Sequence, residues 1–154
     1  KPDAPTAATN DQRGDTIMAK YQFGGLNVGL GYNKSRLDNA NTGVKFRERD
    51  AWEVAGNYKW GPHAVYAHYI RANDDTSAVL PTAVTDNSGA TMFTAVYEYA
   101  LSKRTSVAAT YSKIDNERNG VYNFFTTASL GSTDAVVVAG ESPRLFQLTL
   151  MHLF

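Results

Sequence analysis

A chain of 154 residues, 16.8 kDa, has the length of one domain. Its 15 basic and 15 acidic side chains cancel, which argues against nucleic-acid binding through a dense cationic surface. The absence of cysteine excludes disulfide frameworks, thiolate nucleophiles and Cys-ligated metals, and 43% hydrophobic residues against 19% charged is too apolar for a disordered chain.

The chain opens at Lys1-Pro2-Asp3-Ala4-Pro5, with no methionine and no charged-then-apolar leader. Residues 1–14 carry no periodic apolar pattern; they read as the tail of a loop, and an amino-terminal part is expected to precede them. From Thr16 onward the pattern has period two, the side-chain period of a strand. Over 16–23, Ile17, Ala19, Tyr21 and Phe23 oppose Thr16, Met18, Lys20 and Gln22. Over 26–35, Leu26, Val28, Leu30 and Tyr32 oppose Asn27, Gly29, Gly31 and Asn33. Over 47–60, Trp52, Val54, Gly56, Tyr58 and Trp60 oppose Ala51, Glu53, Ala55, Asn57 and Lys59. The same alternation places Val65, Ala67 and Tyr69 against Ala64, Tyr66 and His68 over 63–72. Over 91–101, Phe93, Ala95, Tyr97, Tyr99 and Leu101 oppose Met92, Thr94, Val96, Glu98 and Ala100. Val107, Ala109 and Tyr111 oppose Ser106, Ala108, Thr110 and Ser112 over 105–113, and Phe146, Leu148, Leu150, His152 and Phe154 oppose Leu145, Gln147, Thr149, Met151 and Leu153 over 144–154. Seven strands are predicted and no helical period competes. The longest apolar run, Ala135–Ala139, falls far short of the roughly 20 residues of a membrane-crossing helix.

The connections alternate in length. Gly24-Gly25, Gly61-Pro62 and Ser102-Lys103-Arg104 are tight turns, whereas 36–46, 73–90 and 115–143 are long and polar. An up-and-down antiparallel sheet with short turns at one end and long loops at the other is the pattern of a transmembrane β-barrel. Aromatic residues decide which face meets lipid. Strands entering a tight turn end in Tyr21 and Phe23, Tyr58 and Trp60, Tyr97 and Tyr99; strands entering a long loop pass Tyr32, Tyr69 and Tyr111 and then Lys34, Arg71 and Lys113. Trp52 and Trp60 are separated by roughly 26 Å along their strand, about 20 Å along the membrane normal once tilted, close to the height of the apolar band. A solvated half-buried sheet has no reason to collect rings at both rims, whereas a bilayer interface does. The other face carries Lys20, Gln22, Asn27, Glu53, Asn57, Lys59, His68, Thr94, Glu98, Ser106 and Thr110, charges of both signs among small residues, which suits a hydrated lumen better than a dry core.

Two segments carry a resemblance. Tyr99-Ala100-Leu101-Ser102-Lys103-Arg104-Thr105-Ser106, followed by Ala109-Thr110-Tyr111, resembles the last periplasmic hairpin of β-proteobacterial general porins. Leu148-Thr149-Leu150-Met151-His152-Leu153-Phe154 is similar to the terminal strand of outer-membrane barrels, with His152 two places before the last Phe and Leu153 where that group often has a basic residue. The resemblance implies a Gram-negative outer-membrane porin: a trimeric, roughly 16-stranded barrel with a water-filled channel for small hydrophilic solutes and ions. This chain would supply its carboxy-terminal half, residues 1–154 forming part of one barrel domain that pairs with amino-terminal strands. Long loops would be extracellular, near lipopolysaccharide, and the carboxy terminus periplasmic. Phe154 would be the signal read by the barrel assembly machinery.

No catalytic constellation is evident. His63, His68 and His152 lie on different strands or opposite faces and none sits in a nucleophile motif. His68 has no second metal ligand at workable spacing, so no metal and no cofactor are expected. Asp74-Asp75 and the 115–119 run read as solvated loop tips or lipopolysaccharide contacts rather than cation sites. The lumen charges Lys20, Glu53, Lys59, Glu98 and His68 would set the field along this part of the wall. The apolar residues Phe124, Phe125 and Val136–Val138 suit an extension of the last hairpin or a fold over the mouth. Two other functions remain open: an anchoring barrel such as an autotransporter translocator or adhesin, which needs a helical plug, and an outer-membrane hydrolase, which needs a Ser–His pair at the outer rim.

Overall fold

The computed structural model describes residues 10–124 and 137–154. Seven strands form one sheet in chain order: β1 (Asn10–Phe23), β2 (Leu26–Asn39), β3 (Lys45–Trp60), β4 (His63–Ala72), β5 (Ala90–Ala100), β6 (Thr105–Asn116) and β7 (Arg144–His152). Every pair is antiparallel. A four-residue helix, α1 (Thr82–Thr85), lies in the β4–β5 connection. Among the described residues no helix is long and apolar enough to cross a membrane.

The first hairpin departs from the sequence reading. Residues 10–14, expected to be loop, belong to β1 and pair with β2 from Asn10↔Asn39 to Gly14↔Ser35. β3 likewise starts at Lys45 and β6 runs to Asn116. Most side chains of these extensions are polar, and the apolar exceptions, Phe46 and Ile114, stand singly, so no alternation announces them; a strand segment without an apolar row has no periodic face to mark. At the other end, β5 stops at Ala100, leaving Leu101 in the turn, and β7 stops at His152.

Exposure divides the faces in an order opposite to that of a water-soluble domain. In β6, Val107 and Tyr111 are 37% and 41% exposed, whereas Ser106 and Ser112 on the other face are 8% and 5% exposed. Curvature accounts for the inversion, because side chains splay on the convex side of a sheet and converge on the concave one. The apolar face is convex. The polar face is concave.

Aromatics on the convex face step across the ladder. Tyr32 is opposite Trp52, Tyr69 is opposite Phe93 two residue pairs lower, and Tyr111 is opposite Phe146 two pairs lower again. Rings that keep to one plane while the hydrogen-bonded rows drift past it are the sign of tilted, staggered strands, as barrel closure demands.

Candidate functional site

The concave face holds the residues singled out by alternation: Lys20 and Gln22 on β1, Asn27 on β2, Glu53, Asn57 and Lys59 on β3, His68 on β4, Thr94 and Glu98 on β5, and Ser106 and Thr110 on β6. Several of them meet across strands. His68 Nε2 and Glu53 Oε2 are 2.9 Å apart, the Asn27 amide donates to Asn57 Oδ1 at 2.8 Å, and the Thr94 and Ser112 hydroxyls are 2.8 Å apart. The Tyr66 hydroxyl donates to Glu98 Oε2 at 3.1 Å, and Lys59 Nζ lies 6.0 Å from the Tyr66 ring centre. Glu53 lies flat against the neighbouring strand because its register partner is Gly31; a Cβ there would fall 2.6 Å from the carboxylate. Lys20, Asn27, Glu53, Asn57, Tyr66, His68 and Thr94 line a hollow of about 590 Å³.

This wall is graded along the strands. Near the tight turns it carries Lys59, Tyr66 and Glu98; at mid-height come amides, hydroxyls and the Glu53–His68 pair; toward the long loops it carries Arg47 and Arg49. The two arginines share the parity of Glu53, and the sequence reading overlooked them. The signal was present, since the alternation Arg47, Arg49, Ala51, Glu53 runs unbroken into the spanning part of β3. Groups that exchange hydrogen bonds with each other and with water can bind, orient and pass polar solutes. They form no nucleophile–base pair, and among the described residues no group of three or more His, Cys, Asp or Glu could hold a metal ion.

The convex face presents the two aromatic rows. Toward the loops lie Tyr32, Trp52, Tyr69 and Tyr111, with the Trp52 and Tyr69 rings 5.4 Å apart. Toward the turns lie Tyr21, Phe23, Tyr58, Trp60, Tyr97 and Tyr99. Tyr58 stacks on Trp60 at 5.5 Å and Trp60 on His63 at 5.3 Å, while His63 Nδ1 is 2.8 Å from the Tyr97 hydroxyl. His63 thus sits among the rings of this row. His152 does likewise: its ring meets Phe154 edge-on at 5.0 Å, and its Nδ1 is 2.9 Å from the Thr105 hydroxyl. Phe154 itself is fully exposed. Between the rows, Gly56, Ala67 and Ala95 are small, and the surface is almost wholly apolar.

Of the long loops, Phe124 and Val137–Val138 are described; Phe125 and Val136 lie outside the described residues. The described part of the last loop turns inward. Tyr122, six residues beyond β6, lies over the Arg49 guanidinium on β3, 4.9 Å from ring centre to Cζ, having crossed β5 and β4.

No curated protein matches the chain. Among solved structures, the anion-selective porin from Comamonas acidovorans superposes with a TM-score of 0.69 at 21% identity, covering 96% of this chain and 40% of that one. Outer-membrane expressed OmpT of Vibrio cholerae gives 0.65 at 19% identity, covering 95% and 43%. The chain thus spans about two fifths of the length of these structures. The model of the Gram-negative porin family matches residues 3–119. By that match the chain belongs to the Gram-negative porin family, and with its exposed aromatic rows and crowded polar concave face it folds as strands of an outer-membrane β-barrel.

Proposed function

We propose that this chain forms part of the wall of a water-filled outer-membrane channel through which small hydrophilic solutes and ions diffuse passively. The observation that carries this reading is the inversion of the faces: rings and aliphatics exposed on the convex side, hydrogen-bonded polar and charged groups converging on the concave side. Lys20, Asn27, Glu53, Asn57, Lys59, His68, Thr94, Glu98, Ser106 and Thr110 line the pore. The free edges of β1 and β7 would each leave backbone groups unsatisfied in lipid, at several kcal/mol apiece, so they pair with further strands of a barrel of roughly 16.

The lipid-exposed rings anchor the wall at both interfaces, the long loops face outward toward lipopolysaccharide, and the carboxy terminus faces the periplasm. Phe154, fully exposed after an alternating strand, serves as the signal for the assembly machinery. The assembled protein is a homotrimer and a channel, not an enzyme. Planar-bilayer recording of the purified full-length protein tests this: large, stable conductance in steps of three is expected, and an absence of steps overturns it.

A further inference from the structure

Two loops meet on the concave face just above the membrane-spanning wall. Ala51, Ala72, Ala90 and Asn116 form one row across β3 to β6, and Ala72 and Ala90, with Ile114 nearby, are buried although they lie on the polar side of the sheet. They are covered by the loops. The backbone of Gly120 lies against that of Gly89, which lies against Ala72: a Cβ on Gly120 would come 2.6 Å from Gly89 O, and one on Gly89 would come 2.7 Å from Ala72 O. Glu117 N–H donates to Gly89 O, Asn119 N–H to Asn87 O, and the Asn119 amide to Ala83 O and Asp86 O. Beside β3 the first of these loops is held by a two-way backbone bridge between Glu48 and Thr76.

Under this crossing sits Asp75, with a side chain 6% exposed. It receives Arg49 at 2.7 Å on Oδ1 and Arg47 at 3.3 Å on Oδ2, and its own N–H donates to the Ser88 hydroxyl at 2.8 Å. The adjoining Asp74 carboxyl is pushed up by burial, but the Gly89, Asn87 and Ser88 N–H groups outweigh that and hold it below the usual range. Tyr122 closes over Arg49; burial raises its hydroxyl, which has no hydrogen-bond partner among the described residues. One carboxylate thus serves two guanidiniums.

Resting on the channel reading above, we propose that residues 73–89 and 117–122 form a fixed cap narrowing the extracellular mouth, and that Arg47 and Arg49, set by Asp75, are its ion-selecting groups. Asp75 is a positioning residue: it holds the cap to the wall and masks one of the two charges.

The purified full-length protein in planar bilayers under a potassium chloride gradient provides the test. Gly120→Val removes the close backbone approach without altering charge and should raise single-channel conductance. It should also speed labelling of a Thr94→Cys variant by a bulky hydrophilic maleimide added outside intact cells. Arg47→Gln should move the reversal potential toward that of potassium. Asp75→Asn should move it toward chloride and raise conductance; should that variant not assemble, the other two still decide the matter. Wild-type conductance together with wild-type labelling in Gly120→Val would overturn the cap, and an unmoved reversal potential in Arg47→Gln would overturn the selecting role. Failure of the unmodified protein to conduct would instead overturn the channel itself.

Discussion

The two faces of this sheet follow different rules for the same backbone. On the convex face, the order from rim to rim is ring, small or aliphatic residue, ring, and contacts are between neighbouring aromatics such as Trp52–Tyr69 and Tyr58–Trp60. On the concave face polar side chains pair across strands, and its few buried apolar residues are mostly those under the loop crossing. The lesson is that burial and polarity are decoupled here. On the channel reading proposed above, what is exposed in the isolated chain meets lipid, and what is crowded meets water.

The largest effect that would break this contrast is a charge placed on the wrong side. Ala109 and Thr110 are adjacent on β6, with Ala109 opposite Tyr97 and Leu148 on the convex face and Thr110 opposite Val96 and Gln147 on the concave one. Ala109→Arg puts a guanidinium near the bilayer midplane and should cost about 2–4 kcal/mol. Thr110→Arg remains hydrated and should cost little, while shifting conductance or ion preference. Urea unfolding in lipid vesicles and bilayer recording read the two. The reverse ranking would mean that the sheet faces the other way.

Next in size is the terminal ring. Deleting Phe154, or replacing it with Ser, should lower the yield of heat-modifiable protein in outer membranes without changing the conductance of the molecules that do assemble. Since Phe154 is fully exposed, no packing loss would explain the drop. Unchanged yield in cells would count against a signalling role.

Most of the spanning sheet was legible because the bilayer imposes strict alternation: a strand with lipid on one side and water on the other cannot hide its parity. Where that constraint ends, legibility ends. Residues 10–15 and 36–39 are polar at every position but Gly14 and Leu37, so Arg13, Asp15, Arg36 and Asp38 could follow any pattern, and the pairing of β1 with β2 there is visible only in the ladder. The concave-face positions were legible for the same reason as the strands, since parity assigns each residue a face. The Arg47–Arg49–Asp75–Tyr122 cluster was not, because it joins β3 to loops 26 and 73 residues further along the chain (75 − 49 and 122 − 49). No local period encodes such a meeting.

A smaller change sharpens the electrostatic side of the contrast. Glu53→Gln removes the carboxylate facing His68 while keeping its shape and its fit over Gly31. Stability should hardly move, since the pair is open to water on the lumen side and partly exposed ion pairs contribute about 0–1 kcal/mol. The reversal potential should move toward chloride as one negative charge leaves the wall. A stability loss with no selectivity change would assign Glu53 to structure alone.

The smallest expected effect is also the most diagnostic of wetness. The Asn27 amide donates to Asn57 Oδ1 at 2.8 Å on the concave face. In a dry interior, Asn57→Ala would strand the Asn27 amide at about 1–3 kcal/mol, because a buried donor left without an acceptor loses its full solvation. In a hydrated channel, water takes the vacated place, and only the small net value of the bond is lost, about 0.5–1 kcal/mol. Urea unfolding of Asn57→Ala and Asn27→Ala, singly and together, separates the cases. A channel predicts two small single losses and a double loss close to either one, since the second change has nothing further to break. A loss above about 2 kcal/mol in either single variant would mean a sealed polar core behind the aromatic face, and the inner wall could not then be a path for solutes.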